Sequence, residues 1–357
     1  MKAPIVSPRH IHALRPAAGE ALARMRQAAR LSVAPMMDWT DRHCRFFHRQ
    51  ISRHALLHTE MVVAQALVHG DAARLLAHDP AEQPVALQIG GAEPAILARA
   101  ARIGAEAGFA EINLNVGCPS DRVQSGAFGA VLMKTPALVA ECVAAMIEAV
   151  APRAEVTVKC RIGVDDQEPR DVLPAFLEQV SAAGVGRFTI HARKAWLEGL
   201  SPKENRTVPP LDHALVVEMK QAFPDLHLSV NGGIEDIDTA RRFLAGGLDG
   251  VMIGRAAYHR PLAVLGPADG AIFGAEGKAP DPAAIVARMR PYIIRELARG
   301  ERLARITRHM LGLFAGRPGA RVWRRILSEE AHRPGAGLEV VDRALAAALE
   351  AAAARAS

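Results

Sequence analysis

The chain has 357 residues, of which 50% are hydrophobic, and a formal net charge of +6. This length exceeds the roughly 250 to 300 residues at which a single core stops growing, so we expect one large domain with a smaller one. The sequence contains no run of about 18 uncharged apolar residues, so no transmembrane helix is predicted. Its four cysteines include no CxxC pair that would indicate zinc or redox chemistry. We therefore expect a cytoplasmic protein with no membrane or metal partner.

The first thirty residues are basic. Residues 1–30 carry six lysines and arginines against one acid, Glu20, and they lack the apolar segment of a secretory signal. We expect residues 1–30 to form a poorly ordered basic extension, with an organellar transit peptide as the alternative. The charge then changes sign along the chain, because residues 31–280 have a net charge of −5 and residues 281–357 a net charge of +6.

Eight short apolar or β-branched segments follow, separated by Ala-rich stretches with helical spacing such as 93–108 and 234–247. The alternation predicts a (β/α)8 TIM barrel over residues 31–275, although a doubly wound sheet can show similar alternation. The strand segments are LSVAPM (31–36), ALLHTEM (55–61), PVALQIG (84–90), AEINLNV (110–116), EVTVKCR (155–161), RFTIHAR (187–193), LHLSVNGG (226–233) and DGVMIGR (249–255).

Polar or glycine residues stand at almost every predicted strand end, and the carboxyl ends of the strands carry the active sites of TIM barrels. This pattern favours the barrel over the doubly wound sheet. The last two segments end in NGGI and IGRA, where glycines allow backbone N–H groups to approach a ligand. We therefore predict a site for a phosphate-bearing cofactor or substrate at Asn231, Gly232, Gly233, Gly254 and Arg255.

One cysteine stands apart from the other three. Cys118 lies between a glycine and a proline, where the fourth apolar segment ends, and neither neighbour suits a regular strand or helix. We expect its thiol on a loop, where function concentrates. The remaining cysteines lie in predicted helix or strand-end positions and are expected to pack in the core: Cys44, Cys142 and Cys160.

Arginine dominates the end of the chain. Between Arg288 and Arg325 there are eleven arginines and only two acids, Glu296 and Glu301. Guanidinium groups match phosphate geometry better than lysine does, although a charged run can also be a solvated helix face.

Ten segments, in order along residues 31–335, resemble the tRNA-dihydrouridine synthases. Seven are general to that family: APMMDWTD (34–41), QIGG (88–91), NLNVGCPSDRVQSGAFGAVLM (113–133), VKCRIG (158–163), TIHAR (189–193), SVNGGI (229–234) and MIGRAAY (252–258). Three are similar to the DusA subfamily in particular: HARKAWLEGLSPKENR (191–206), ITRHMLGLF (306–314) and GARVWRR (319–325).

The resemblance implies an FMN enzyme that uses NADPH to reduce the C5–C6 bond of tRNA uridines 20 and 20a in the D-loop. The flavin N5 would supply a hydride to C6, and Cys118 would supply the proton to C5, because an ordinary thiol is protonated at neutral pH. Lys159 would stabilise the anionic reduced flavin near N1 and O2. The other implied flavin contacts are Pro35, Met36 and Met37 along the isoalloxazine, Gln88 at its pyrimidine edge, and His191 at the ribityl chain or phosphate.

The resemblance also implies residues that hold the tRNA. Lys203 and Arg206 would contact it from the loop after the sixth strand, and residues 281–357 would form a helical tRNA-binding domain. In that domain, Arg321 and Arg324 are three residues apart and share one helical face. The substrate base would face Asn115 and, as a weaker candidate, Arg161. We expect the protein to be a monomer.

Two other functions explain part of the pattern. An FMN barrel that acts on a free pyrimidine, of the dihydroorotate or dihydropyrimidine dehydrogenase type, accounts for the strand ends but not for the arginine-rich region. A non-catalytic tRNA-binding protein accounts for the arginines but not for the intact strand ends. The flavoenzyme acting on tRNA explains both.

Overall fold

The computed structural model describes residues 16–120 and 128–354. Its centre is a barrel of parallel strands in the order β1-β9-β8-β7-β6-β5-β4-β2. Each predicted strand segment contains one of these strands, and β3 is a short addition that pairs with the end of β4. The strands are β1 (Leu31–Val33), β2 (Leu57–His58), β3 (Val62–Val63), β4 (Val85–Gly90), β5 (Glu111–Val116), β6 (Glu155–Arg161), β7 (Arg187–His191), β8 (His227–Asn231) and β9 (Gly250–Ile253).

Hydrogen bonds at Leu56, just before β2, close the barrel. The amide of Val33 donates to the carbonyl of Leu56 at 2.9 Å, and the amide of Leu56 donates to the carbonyl of Leu31 at 3.0 Å. The strand order therefore returns to its starting point, and the predicted TIM barrel is confirmed.

Helices after the strands cover the outside of the barrel, because each has an apolar stripe that must be buried against the sheet. Several begin with proline at the first helical position, where its missing N–H is not needed. The helices predicted at 93–108 and 234–247 are confirmed. The barrel helices are Arg42–Arg49, Ala64–His69, Ala72–Leu75, Pro94–Glu106, Pro136–Val150, Pro169–Ala182, His213–Ala222, Ile237–Ala245, Arg255–His259, Pro261–Leu265 and Ala268–Ala271, with 3-10 turns at Pro80–Glu82, Gly129–Lys134 and Glu204–Arg206.

The chain ends in a group of helices: Pro282–Ala298, Leu303–Thr307, Ala320–Glu330 and Leu338–Ala353. Their buried faces share a core around Trp323, whose indole N–H donates to the carbonyl of Met310 at 2.9 Å. Gly319 has a φ of 82°, and a Cβ there would lie 2.3 Å from the carbonyl oxygen of Ala348, so only glycine permits this close helix contact. Among the described helices, none has the length and apolar character needed to cross a membrane.

At the start of the described chain, the structure differs from the expected poorly ordered extension. Residues Pro16–Ala28 form a helix, and its last turn is buried by Met25 and Ala28 against Leu56 and Ala86. Arg26 donates to Glu155 at 3.0 Å. The helix therefore packs on the amino-terminal side of the strands because its apolar residues are buried there. Residues 1–15 lie outside the described part of the chain.

The C-terminal helices pack against the helix Arg42–Arg49, which follows β1. The ring of Phe46 stacks on Tyr292 with 3.9 Å between centroids, and His43 Nδ1 lies 2.7 Å from the Tyr292 hydroxyl. Arg42 also donates to Glu296 at 2.5 Å. These contacts fix the C-terminal helices close to the loop that carries Met36 and Met37.

Candidate active site

The carboxyl ends of the strands bring most of the predicted site residues to one rim of the barrel. The register pairs Asn115 with Lys159, Arg161 with His191, and His191 with Asn231. Residues near or just beyond the carboxyl ends of β1, β4, β5, β8 and β9 complete the rim. They are Pro35, Met36, Met37, Gln88, Cys118, Gly232, Gly233, Gly254 and Arg255.

The side chain of Asn115 hydrogen-bonds the backbone of the loop that carries Cys118. The Asn115 side-chain oxygen accepts hydrogen bonds from the amides of Gly117 at 3.1 Å and Cys118 at 3.0 Å. Its Nδ2 donates to Gln88 at 2.8 Å. The contacts observed for Asn115 are therefore internal, and its proposed contact with the substrate base stays a prediction.

Cys118 is half-buried, whereas the other three cysteines are buried. Its thiol donates to the Ser120 hydroxyl at 3.4 Å, and its carbonyl accepts from the amide of Ala130 at 2.9 Å. Burial raises the pKa of Cys142 to about 11 and the pKa of Cys160 to about 12. Cys118 is thus the accessible thiol at the rim. The part of its motif at residues 121–127 lies outside the described residues.

Lys159 is a cation in a poorly solvated position. Its ammonium donates to the side-chain oxygen of Asn231 at 3.1 Å, while Asn231 Nδ2 donates to the carbonyl of Met252 at 2.8 Å. Burial, with a smaller contribution from the like charge of Arg161, lowers the pKa of Lys159 to about 8. Lys159 therefore remains largely charged at neutral pH, and an anion bound beside it would be stabilised.

The rim gathers cations that have no carboxylate partner in the described part of the chain. Lys159, Arg161, Arg193, Arg206 and Arg255 form no ion pair with any carboxylate of residues 16–120 and 128–354. Burial and the nearby charge of Arg255 lower the pKa of Arg193 and of Arg206. The buried Nε of Arg193 has no hydrogen-bond partner in the same part of the chain. This arrangement suits a bound phosphate. Arg193 was not among the predicted site residues, and the available signal was its position two residues after His191.

Two glycines let the backbone approach this cationic group. Gly232 has a φ of 109°, and a Cβ there would lie 2.7 Å from the His191 ring. Gly233 has a φ of 68°, and a Cβ there would lie 2.5 Å from Leu211. Both positions require glycine. Burial, together with the charge of Arg161, keeps the pKa of His191 well below its ordinary value, so the imidazole is neutral.

Arg161 is buried, and its side chain hydrogen-bonds the backbone of three separate loop segments. Its guanidinium donates to the carbonyls of Gly117 at 2.9 Å, Lys194 at 3.0 Å and Asn205 at 2.9 Å. The proposed contact of Arg161 with the substrate base stays a prediction. What the structure adds is a connection between the Cys118 loop and the loop that carries Lys203 and Arg206.

The predicted tRNA contacts lie on two surfaces. Lys203 and Arg206 are exposed on the loop after β7, and Arg255 donates to the carbonyl of Arg206 at 3.4 Å. Arg321 and Arg324 are exposed on the helix Ala320–Glu330 and form no ion pair with the described carboxylates. The structure thus joins the first pair to the rim and places the second pair on the C-terminal helices.

Two stacked aromatic residues at the rim, Trp39 and Tyr258, were not among the predicted site residues. Trp39 stacks on Tyr258 with 4.6 Å between ring centroids. The Tyr258 hydroxyl lies 3.2 Å from His309 Nδ1, and His309 Nε2 lies 3.0 Å from the Asp41 carboxylate. His309 therefore links the C-terminal helices to the rim. The available signals were the aromatic residues inside APMMDWTD and MIGRAAY.

The sequence of this chain is similar to a known family model and to named proteins. Residues 32–352 match the family model "Dihydrouridine synthase (Dus)". A Vibrio cholerae protein named tRNA-dihydrouridine(20/20a) synthase is 55% identical over 323 residues, which cover 90% of this chain and 97% of that protein. A protein of the same name from Escherichia coli strain K12 is 54% identical over 319 residues, which cover 89% of this chain and 91% of that protein. Among solved structures, the old yellow enzyme from Trypanosoma cruzi has a TM-score of 0.49 and 11% identity, over 72% of this chain and 91% of that chain. The family match and the relatives of 54% to 55% identity show that the chain belongs to the dihydrouridine synthase family.

Proposed function

We propose that this protein is an FMN-dependent tRNA-dihydrouridine(20/20a) synthase. It would use NADPH to reduce the C5–C6 bond of D-loop uridines, as a monomer in the cytoplasm. The observation that carries the proposal is the position of Cys118 on the same rim as an unpaired cationic group and two backbone-exposing glycines. The names of relatives that are 54% to 55% identical support the choice of substrate.

The rim residues fit a flavin mononucleotide. The unpartnered Nε of Arg193 and the cation of Arg255 suit a phosphate dianion, and Gly232 and Gly233 leave room for it. The other contacts would come from Pro35, Met36, Met37, Gln88, Lys159, His191, Asn231 and Gly254. When bound, the flavin supplies hydride transfer.

The protein residues would handle the proton and the charge. Cys118 gives its thiol proton to C5 of the uracil as C6 receives the hydride, and the resulting thiolate is reprotonated by solvent. Arg161 and Arg206 interact electrostatically with Cys118, so they would stabilise that thiolate. Lys159 would stabilise negative charge on the reduced cofactor.

Mass spectrometry of tRNA from cells that lack this protein tests the proposal. We expect dihydrouridine to disappear from positions 20 and 20a and to return when the gene is restored. The purified protein should also be yellow and should oxidise NADPH. Unchanged tRNA would exclude the proposed substrate, and turnover of a free pyrimidine would favour the dehydrogenase alternative.

Replacing Arg255 with alanine should weaken FMN binding by about 10- to 100-fold, since a hydrogen bond to a charged group contributes about 1.5–3 kcal/mol. Fluorescence titration of the flavin-free protein measures the change. Arg260→Ala is the matched control, because Arg260 is a nearby exposed arginine that pairs with Glu235 at 3.1 Å. Equal FMN affinity in the two variants would place the phosphate elsewhere.

The double change Arg321→Ala and Arg324→Ala should weaken tRNA binding. If both residues contact phosphates, the slope of log K against log salt should flatten by about one to two units. Flavin content and NADPH oxidation without tRNA should stay unchanged, since neither residue lies on the rim. Arg325→Ala is the control on the same helix, because Arg325 pairs with Glu329 at 3.6 Å. An unchanged slope in the double variant would mean that this surface is only solvated.

A further inference from the structure

A chain of hydrogen bonds runs through the barrel core, from a buried ion pair at the amino-terminal side up to the Cys118 loop. At its lower end, Glu111 accepts from Arg187 at 2.5 Å and from the Thr157 hydroxyl at 2.8 Å. Three further side-chain bonds of 2.8 Å each continue upward, from Asn113 to Thr157, from Gln88 to Asn113, and from Asn115 to Gln88. All of these side chains are buried.

The ion pair at the lower end determines which group donates and which accepts in each of these hydrogen bonds. The Glu111 carboxylate, paired with Arg187, can only accept, so the Thr157 hydroxyl must use its single hydrogen on Glu111. Thr157 can then only accept from Asn113, which must present its NH2 group downward and its oxygen to Gln88. Gln88 must therefore present its Nε2 to Asn113.

The upper end demands the same direction independently. The backbone amides of Gly117 and Cys118 can only donate, so Asn115 must present its oxygen to them. Asn115 then presents its NH2 group to Gln88, whose Oε1 must accept. A rotated Gln88 amide would set two NH2 groups against each other at Asn115 and two oxygens against each other at Asn113. The two ends together permit one orientation of Gln88.

We infer that Thr157 and Asn113, acting together with Asn115, are positioning residues that fix the Gln88 amide in the orientation required at the flavin edge. The inference rests on the proposed function, in which Gln88 binds the pyrimidine edge of FMN. The second hydrogen on Gln88 Nε2 bonds no other residue of the described ranges. A flavin would therefore meet a donor and an acceptor whose positions are set before it binds.

The substitution Thr157→Val tests this inference, because it keeps the shape of the side chain and removes the hydroxyl. FMN Kd should rise about tenfold, the consequence of losing roughly one net hydrogen bond, and the flavin absorption spectrum and midpoint potential should shift. Thr157→Ser keeps the hydroxyl and should restore Kd to within about twofold of the wild type. Thr307→Val is the matched control, since the buried Thr307 hydroxyl donates to the Leu303 carbonyl within the C-terminal helices.

Asn113→Leu provides a second variant if Thr157→Val does not fold, and it should shift the same spectrum and potential. The inference is overturned if the variants leave Kd, spectrum and potential equal to those of Thr307→Val. The inference is also overturned if both variants fail to fold, because this series of hydrogen bonds would then serve stability alone. A wild-type protein that does not bind FMN would instead refute the proposed function, so the two failures are distinguishable.

Discussion

Replacing Cys118 with alanine should reduce dihydrouridine formation by about 10²- to 10⁴-fold, the usual contribution of a positioned general acid. The variant should retain its flavin and should still oxidise NADPH, because the thiol is proposed to act only on C5 of the uracil. The Asn115 oxygen bonds the backbone amides of Gly117 and Cys118, so the loop should keep its position without the sulfur. Single-turnover reduction of tRNA by the pre-reduced protein measures the chemical step.

Cys142→Ala is the matched control for this experiment. Cys142 is buried in the helix Pro136–Val150, where its thiol donates to the carbonyl of Ala92 at 3.6 Å. We expect normal dihydrouridine formation from this variant. A Cys118→Ala protein that reduces tRNA at the control rate would show that another group donates the proton.

Replacing Glu82 with glutamine should lower the free energy of unfolding by about 3–5 kcal/mol, because it leaves a buried positive charge on Arg45 without its partner. Glu82 is fully buried and accepts from Arg45 Nε at 2.7 Å. Burial raises the pKa of Glu82, and the positive charge of Arg45 opposes that shift. Urea denaturation, followed through circular dichroism, measures the loss.

Two further variants separate charge from shape in the same experiment. Arg45→Met combined with Glu82→Gln removes both charges and should recover much of the lost stability. Glu218→Gln breaks the exposed pair with Arg170 and should leave the urea midpoint nearly unchanged. If Glu82→Gln behaves like Glu218→Gln, the buried charge on Arg45 is compensated elsewhere.

The barrel could be predicted from sequence because the apolar segments that form its strands are separated by amphipathic helices. Val62–Val63 could not, since two residues carry no periodicity and their pairing with β4 depends on the end of that strand. The helix Pro16–Ala28 was missed because the prediction for residues 1–30 followed the excess of basic residues over that whole segment. Its burial depends on apolar contacts of Met25 with strands that are distant in sequence.

The rim could be predicted in the same way, because parallel strands deliver their carboxyl ends to one side. The hydrogen-bond partners of the rim residues could not be predicted from sequence. Arg161 bonds the carbonyl of Asn205, 44 residues away, and no local pattern indicates that a predicted substrate ligand has its guanidinium engaged by backbone. Among the described residues no carboxylate pairs with Arg193, and this likewise depends on which side chains approach it in three dimensions.

The barrel closes at Leu56 through an isolated bridge to Ser32, whereas the other neighbouring strands pair over at least two residues. The Leu56 amide also lies 3.2 Å from the carbonyl of Ala28, so the helix Pro16–Ala28 covers this seam directly. Local opening of the barrel should cost the least free energy where the fewest strand residues are paired, which is between β1 and Leu56. Strand β1 leads from this position to Met36 and Met37 at the rim. Thermal breathing of the seam would thus reach the mouth of the barrel through β1, and the amino-terminal helix limits the amplitude of that motion.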